Sequence, residues 1–127
     1  MTDKKITILY VDDEETNLFL FNLHLESKYK VITAISGEEG LAKLDNNHSD
    51  IIVVISDMNM PNMNGIEFIK KAKENYANVT YFILTGFDFN DEIEDALKAN
   101  VIQEFFTKPF DAQQIEAAVE EAAKRIG

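Results

Sequence analysis

Short apolar runs alternate with amphipathic stretches along the whole chain. Runs rich in β-branched and aromatic residues occupy positions 5–11 (KITILYV), 30–34 (KVITA), 51–56 (IIVVIS), 79–84 (VTYFIL) and about 101–107 (VIQEFFT), each of strand length. Between them, apolar residues recur every three or four positions. Leu18, Phe21 and Leu25 form one such stripe, Leu41 and Leu44 another, and Ile115, Ala118, Val119, Ala122 and Ile126 the longest. That is the period of helices with one buried face.

Local signals mark where those helices begin and end. Ser36-Gly37-Glu38-Glu39 fits a capping box, in which the serine and the glutamate satisfy free N–H groups of the first turn. Asn64 to Glu67 and Asp111 to Gln114 are looser versions of it. Asn100 follows the fourth helical stretch, where a left-handed residue is usual and asparagine is tolerated. No repeat, low-complexity segment or linker interrupts the pattern, so the 127 residues read as one domain spanning 1–127.

Five strands alternating with five helices predict an α/β fold: a single doubly wound (βα)5 domain around a five-stranded parallel sheet, since parallel neighbours need crossovers. The first, third and fourth strands are almost continuously apolar, as expected when helices cover both faces. In such sheets the functional crevice lies at the carboxyl ends of the strands. Strand one ends there in Asp12-Asp13-Glu14, strand three in Asp57, strand four in Thr85-Gly86 and strand five in Lys108-Pro109-Phe110. The end of strand two carries no comparable chemistry.

Crowded carboxylates repel one another unless a cation intervenes. Hard oxygen donors without histidine or cysteine suit Mg²⁺, and Lys108 and Thr85 add a positive charge and a donor. The set is suited to receive a phosphoryl group, whose transfer depends on positioning and charge neutralisation. The formal charge of −11, from 12 basic and 23 acidic residues, repels phosphate backbones and argues against direct nucleic-acid binding. The chain has no cysteine, no secretory signal and no membrane-length apolar run, so a cytoplasmic location is expected.

VDDE after strand one, SDMNMPNMNG after strand three, the threonine closing strand four and the KPF tripeptide together resemble the receiver domain of two-component response regulators. The resemblance covers essentially the whole chain and implies strand order 2-1-3-4-5. It implies that Asp57 accepts a phosphoryl group from a histidine kinase or histidine phosphotransfer protein. Asp12 and Asp13 would hold Mg²⁺ with Asp57 and the backbone carbonyl of Asn59. Lys108 and Thr85 would bind the phosphoryl oxygens, Pro109 would follow a cis peptide bond, and Phe105 would be the switching aromatic. The face of helix four, strand five and helix five would then meet a protein partner.

On this reading the chain is a signalling phosphoacceptor rather than an enzyme. A haloacid-dehalogenase-like, Mg²⁺-dependent phosphatase or phosphotransferase is the alternative, disfavoured because Asn59 stands where that class needs an acid. A flavodoxin-like cofactor binder lacks its phosphate-cradling loop after strand one, and intact acceptor residues argue against a phosphate-independent scaffold. No effector domain is expected within the chain. Phe87 lies two positions after Thr85, where it either shields the phosphoryl group from water or packs the loop. Met58, Met60 and Met63 read as loop residues or an adaptable contact surface. His24 and His48 lack partners at ligand spacing, and Asp91, Glu92, Glu94 and Asp95 read as a solvated helix face.

Overall fold

A computed structural model describes residues 5–86 and 90–126. Its elements follow in strict alternation: β1 Ile6–Val11, α1 Glu15–Leu25, β2 Tyr29–Ala34, α2 Gly37–Asn47, β3 Ile51–Asp57, α3 Gly65–Asn75, β4 Thr80–Thr85, α4 Asp91–Lys98, β5 Glu104–Thr107 and α5 Ala112–Ile126. The strands form one parallel sheet of order β2-β1-β3-β4-β5. Alternate strand residues serve two separate cores. Leu9, Val11, Val54, Tyr81 and Ile83 pack with α2, α3 and α4, while Ile8, Tyr10, Val53, Ile55, Phe82 and Leu84 pack with α1 and α5.

The helical stripes face these cores as their period requires. Phe21, Leu25, Leu44, Ile115 and Val119 are fully buried, each worth about 1.5–3 kcal/mol relative to exposure. The Ile126 side chain lies outside the described part. Capping differs from the sequence expectation in one respect. The complete capping box is at Asn64, which accepts from the Glu67 N–H and donates its own N–H to Glu67. Ser36 caps the Glu39 N–H as expected, but Glu39 reaches back to the N–H of Ile35, one residue further out.

The last strand is shorter than the apolar run 101–107 suggests. Asn100 turns left-handed, with φ of 59°, and the N–H groups of Val101 and Ile102 both return to the Ala96 carbonyl. These residues close the end of α4; the first bond to β4 runs from the Gln103 N–H to the Tyr81 carbonyl at 2.8 Å, and the paired register starts at Glu104. Their apolar side chains seal a helix end, a role that periodicity cannot separate from a strand start.

Two backbone approaches place the site. The Gly65 N–H bonds to the Met58 carbonyl at 2.9 Å, and a Cβ on Gly65 would lie 2.3 Å from the carbonyl oxygen of Asp57. Only glycine lets α3 start this close to the end of β3. Met58, Met60 and Met63 are buried in the core on that side, which corrects the contact-surface reading: they support the loop from within.

Candidate functional site

The carboxyl edge of the sheet brings the expected residues together. Asp57 is the last residue of β3, with β1 on one side and β4 on the other. Asp12 and Asp13 follow β1 directly, and carboxylate oxygens of Asp12, Asp13 and Asp57 lie within 4.8 Å of one another. Lys108 follows β5, its backbone N–H bonded to the Thr85 carbonyl at 2.8 Å, and the Lys108–Pro109 peptide is cis. Thr85 closes β4 and is buried, while Asn59 is exposed two residues after Asp57.

Lys108 divides its charge between two acids. Its Nζ lies 3.1 Å from Asp12 Oδ2 and 3.1 Å from Asp57 Oδ1. Burial pulls the ammonium's pKa down, but the charges of Asp57 and Asp12 outweigh it and raise the net value. Asp57 shifts in the same direction for a different reason. Burial comes first and the Asp12 charge second; Lys108 opposes both only in part, and the carboxyl is pushed up to about 6. An acid poised so high carries stored repulsion that a cation would relieve.

Asp12 was expected as a metal ligand, yet each of its oxygens already accepts two hydrogen bonds. Oδ1 takes the Glu14 N–H at 3.0 Å and Asn17 Nδ2 at 3.4 Å, while Oδ2 takes the Tyr10 hydroxyl at 2.6 Å and Lys108. Both Asp12 oxygens are thus engaged in this arrangement, while Asp12 stays one of the three acids grouped closely enough to hold an ion. Half-buried Asp13 and buried Asp57 bring further oxygens to the same point. The donor set is all oxygen and net negative, which fits a small hard divalent ion.

Sequence reasoning missed Tyr10 and Asn17. The available signal was the strand period of two, which puts a hydroxyl-bearing residue on the same side as Asp12. Beyond Tyr10 a cavity of about 720 Å³ opens between α1 and α5, lined by Leu20, His24, Leu84, Lys108, Phe110 and others. His24 meets Phe110 edge-on at 5.7 Å and His48 stacks on Tyr76, and both are exposed. Phe105 is half-buried and packs toward the α3 and α4 side, opposite Ile83. Asp91, Glu92 and Asp95 are exposed on α4, with Glu94 3.8 Å from Lys98. The question raised by Phe87 lies outside the described residues.

Known proteins share this fold. The profile of the response regulator receiver domain matches residues 8–120. The alkaline phosphatase synthesis transcriptional regulatory protein PhoP of Bacillus subtilis is 35% identical over 120 residues, 93% of this chain and 48% of its own length. A response regulator receiver domain protein from Clostridium thermocellum superposes with a TM-score of 0.83 at 34% identity, covering 94% of each chain. The chemotaxis protein CheY4 of Vibrio cholerae gives a TM-score of 0.84 at 29% identity over 94% of this chain and 99% of its own. The chain spans less than half the length of the curated relatives matched first, at 26%, 48% and 28% of them. Among the described residues no helix is long and apolar enough to cross a membrane.

Proposed function

The chain belongs to the response regulator receiver domain family, and on that premise we propose that Asp57 captures a phosphoryl group from a phosphohistidine and stores it as a mixed anhydride. Family membership leaves the haloacid-dehalogenase alternative without support. The carrying observation is the position of Asp57: buried at the end of a central strand, its carboxyl raised to about 6, with the Lys108 ammonium 3.1 Å away.

In the proposed reaction a carboxylate oxygen of Asp57 attacks phosphorus and the P–N bond of the donor breaks. The bonding pair leaves with the imidazole nitrogen, which takes up a proton. Asp12, Asp13, Asp57 and the Asn59 carbonyl would hold Mg²⁺. When bound, the ion supplies neutralisation of the phosphoryl oxygens. The chain's own residues do the rest. β3 fixes the nucleophile, Lys108 turns toward the arriving phosphoryl oxygens, and Thr85 closes on them from the end of β4.

Incubation with acetyl phosphate and Mg²⁺, followed by intact-mass measurement, tests this directly. We expect one phosphoryl adduct per chain and none in Asp57→Ala. An adduct persisting in that variant places the acceptor elsewhere.

The added group brings a charge of about −1.5 to −2 and three strong acceptors, by analogy with other phospho-residues. Thr85 moving toward it would draw the end of β4 inward and let the half-buried Phe105 ring follow, reshaping the face of α4, β5 and α5 for a protein partner. Reversing a 1:99 equilibrium takes about 5.5 kcal/mol, within reach of a few charge-assisted hydrogen bonds at about 1.5–3 kcal/mol each. Thr85→Ala should therefore still become phosphorylated but lose most of the phosphorylation-dependent gain in partner affinity. An undiminished gain would exclude this coupling route.

A further inference from the structure

Tyr10 carries a hydroxyl where packing alone does not ask for one. Ile8 on the same face of β1 is aliphatic, and the Tyr10 ring is held by stacking on Phe21 at 4.1 Å and 17°, a contact phenylalanine would also make. The oxygen is the one polar atom this side chain brings into the core. It is spent on Asp12 Oδ2, at 2.6 Å.

That same oxygen holds Lys108 at 3.1 Å, and Lys108 is held equally by Asp57. To serve a phosphoryl group on Asp57, the lysine must give up its share in Asp12. Asp12 is fully buried, and a buried carboxylate stripped of its ion-pair partner is strongly disfavoured. Resting on the phosphoacceptor reading, we propose that Tyr10 is a positioning residue for phosphoryl capture: its hydroxyl keeps Asp12 Oδ2 satisfied and so releases Lys108 to Asp57. The ring is 1% exposed and cannot follow the lysine. Its donor is neutral, so it neither competes for the phosphoryl oxygens nor repels a cation. A second lysine in its place would do both.

Tyr10→Phe keeps the stacked ring and deletes only the hydroxyl. Titration of the protein in saturating Mg²⁺ with beryllofluoride, a mimic of the phosphoryl group, reads the release directly. We expect binding about ten- to one-hundred-fold weaker in Y10F, the loss of one hydrogen bond to a buried charge. In a Lys108→Ala background the same change should cost less than about two-fold, because the lysine to be released is gone. No loss in the native background, or an equal loss in both, overturns the proposal and leaves Tyr10 a core residue. Incorporating 3-fluorotyrosine at position 10, a stronger donor of nearly the same size, decides independently: tighter binding supports the assignment and unchanged or weaker binding refutes it. Native protein that binds no beryllofluoride at all would instead overturn the phosphoacceptor reading, a separate and distinguishable result.

Discussion

Lys108→Ala is expected to destabilise the metal-free protein by about 3 kcal/mol at pH 8. Removing one partner of a buried ion pair typically costs 3–5 kcal/mol because an uncompensated charge stays behind. Here one cation serves two acids, of which the Asp12 side chain is 0% and the Asp57 side chain 7% exposed. Lys108 itself is 23% exposed, which allows some screening and sets the lower end of the range. Urea denaturation with a chelator present measures the loss. Adding Mg²⁺ should return much of it, since a divalent ion replaces the missing charge. A variant as stable as the native protein without metal would mean that this lysine does not offset the repulsion between the two acids.

Asp57→Asn should move stability the other way. The folded-state pKa of Asp57, about 6, lies above the unfolded value of 3.8. A carboxyl raised on folding binds its proton more tightly in the folded state, so its contribution is present below pH 4 and lost as pH rises through 6. Asparagine cannot ionise and escapes that loss. The variant should match the native protein near pH 4, gain between pH 4 and 6, and hold a lead of about 2–3 kcal/mol from pH 7 upward. Mg²⁺ should narrow the lead by stabilising the native acid. A stability difference that stays constant from pH 4 to 8 would show that the gain, if any, does not come from this carboxyl. The two substitutions thus probe opposite sides of one balance, and combining them should be far from additive.

Most of this balance was legible in the residue order. Strand ends are readable because both an apolar run and its first charged residue are local features, and the rule for parallel sheets then assembles them on one edge. Asp12, Asp13, Asp57, Thr85 and Lys108 all emerged that way. Tyr10 did not, because inside an apolar strand a tyrosine reads as bulk, and the direction of its hydroxyl depends on how the chain turns just past the end of its own strand. The same limit explains β5. Val101 and Ile102 have strand propensity, but their N–H groups were claimed by the Ala96 carbonyl, a competition between helix end and sheet that composition does not record. At Ser36 and Asn64 the motif was visible, while which of the two glutamates closed its ring depended on backbone geometry one residue upstream.

The fit of Gly65 against the Asp57 carbonyl bears on where the domain can yield. There, a single added carbon would sit 2.3 Å from backbone oxygen, whereas at Gly86 the nearest atom of the described residues is 3.9 Å from such a carbon. The acid is thus backed on its α3 flank by a contact that leaves no room for a side chain. A displacement that starts at residue 57 therefore meets a closed door toward α3, and a bulkier residue at 65 would have to push the whole helix away to fit.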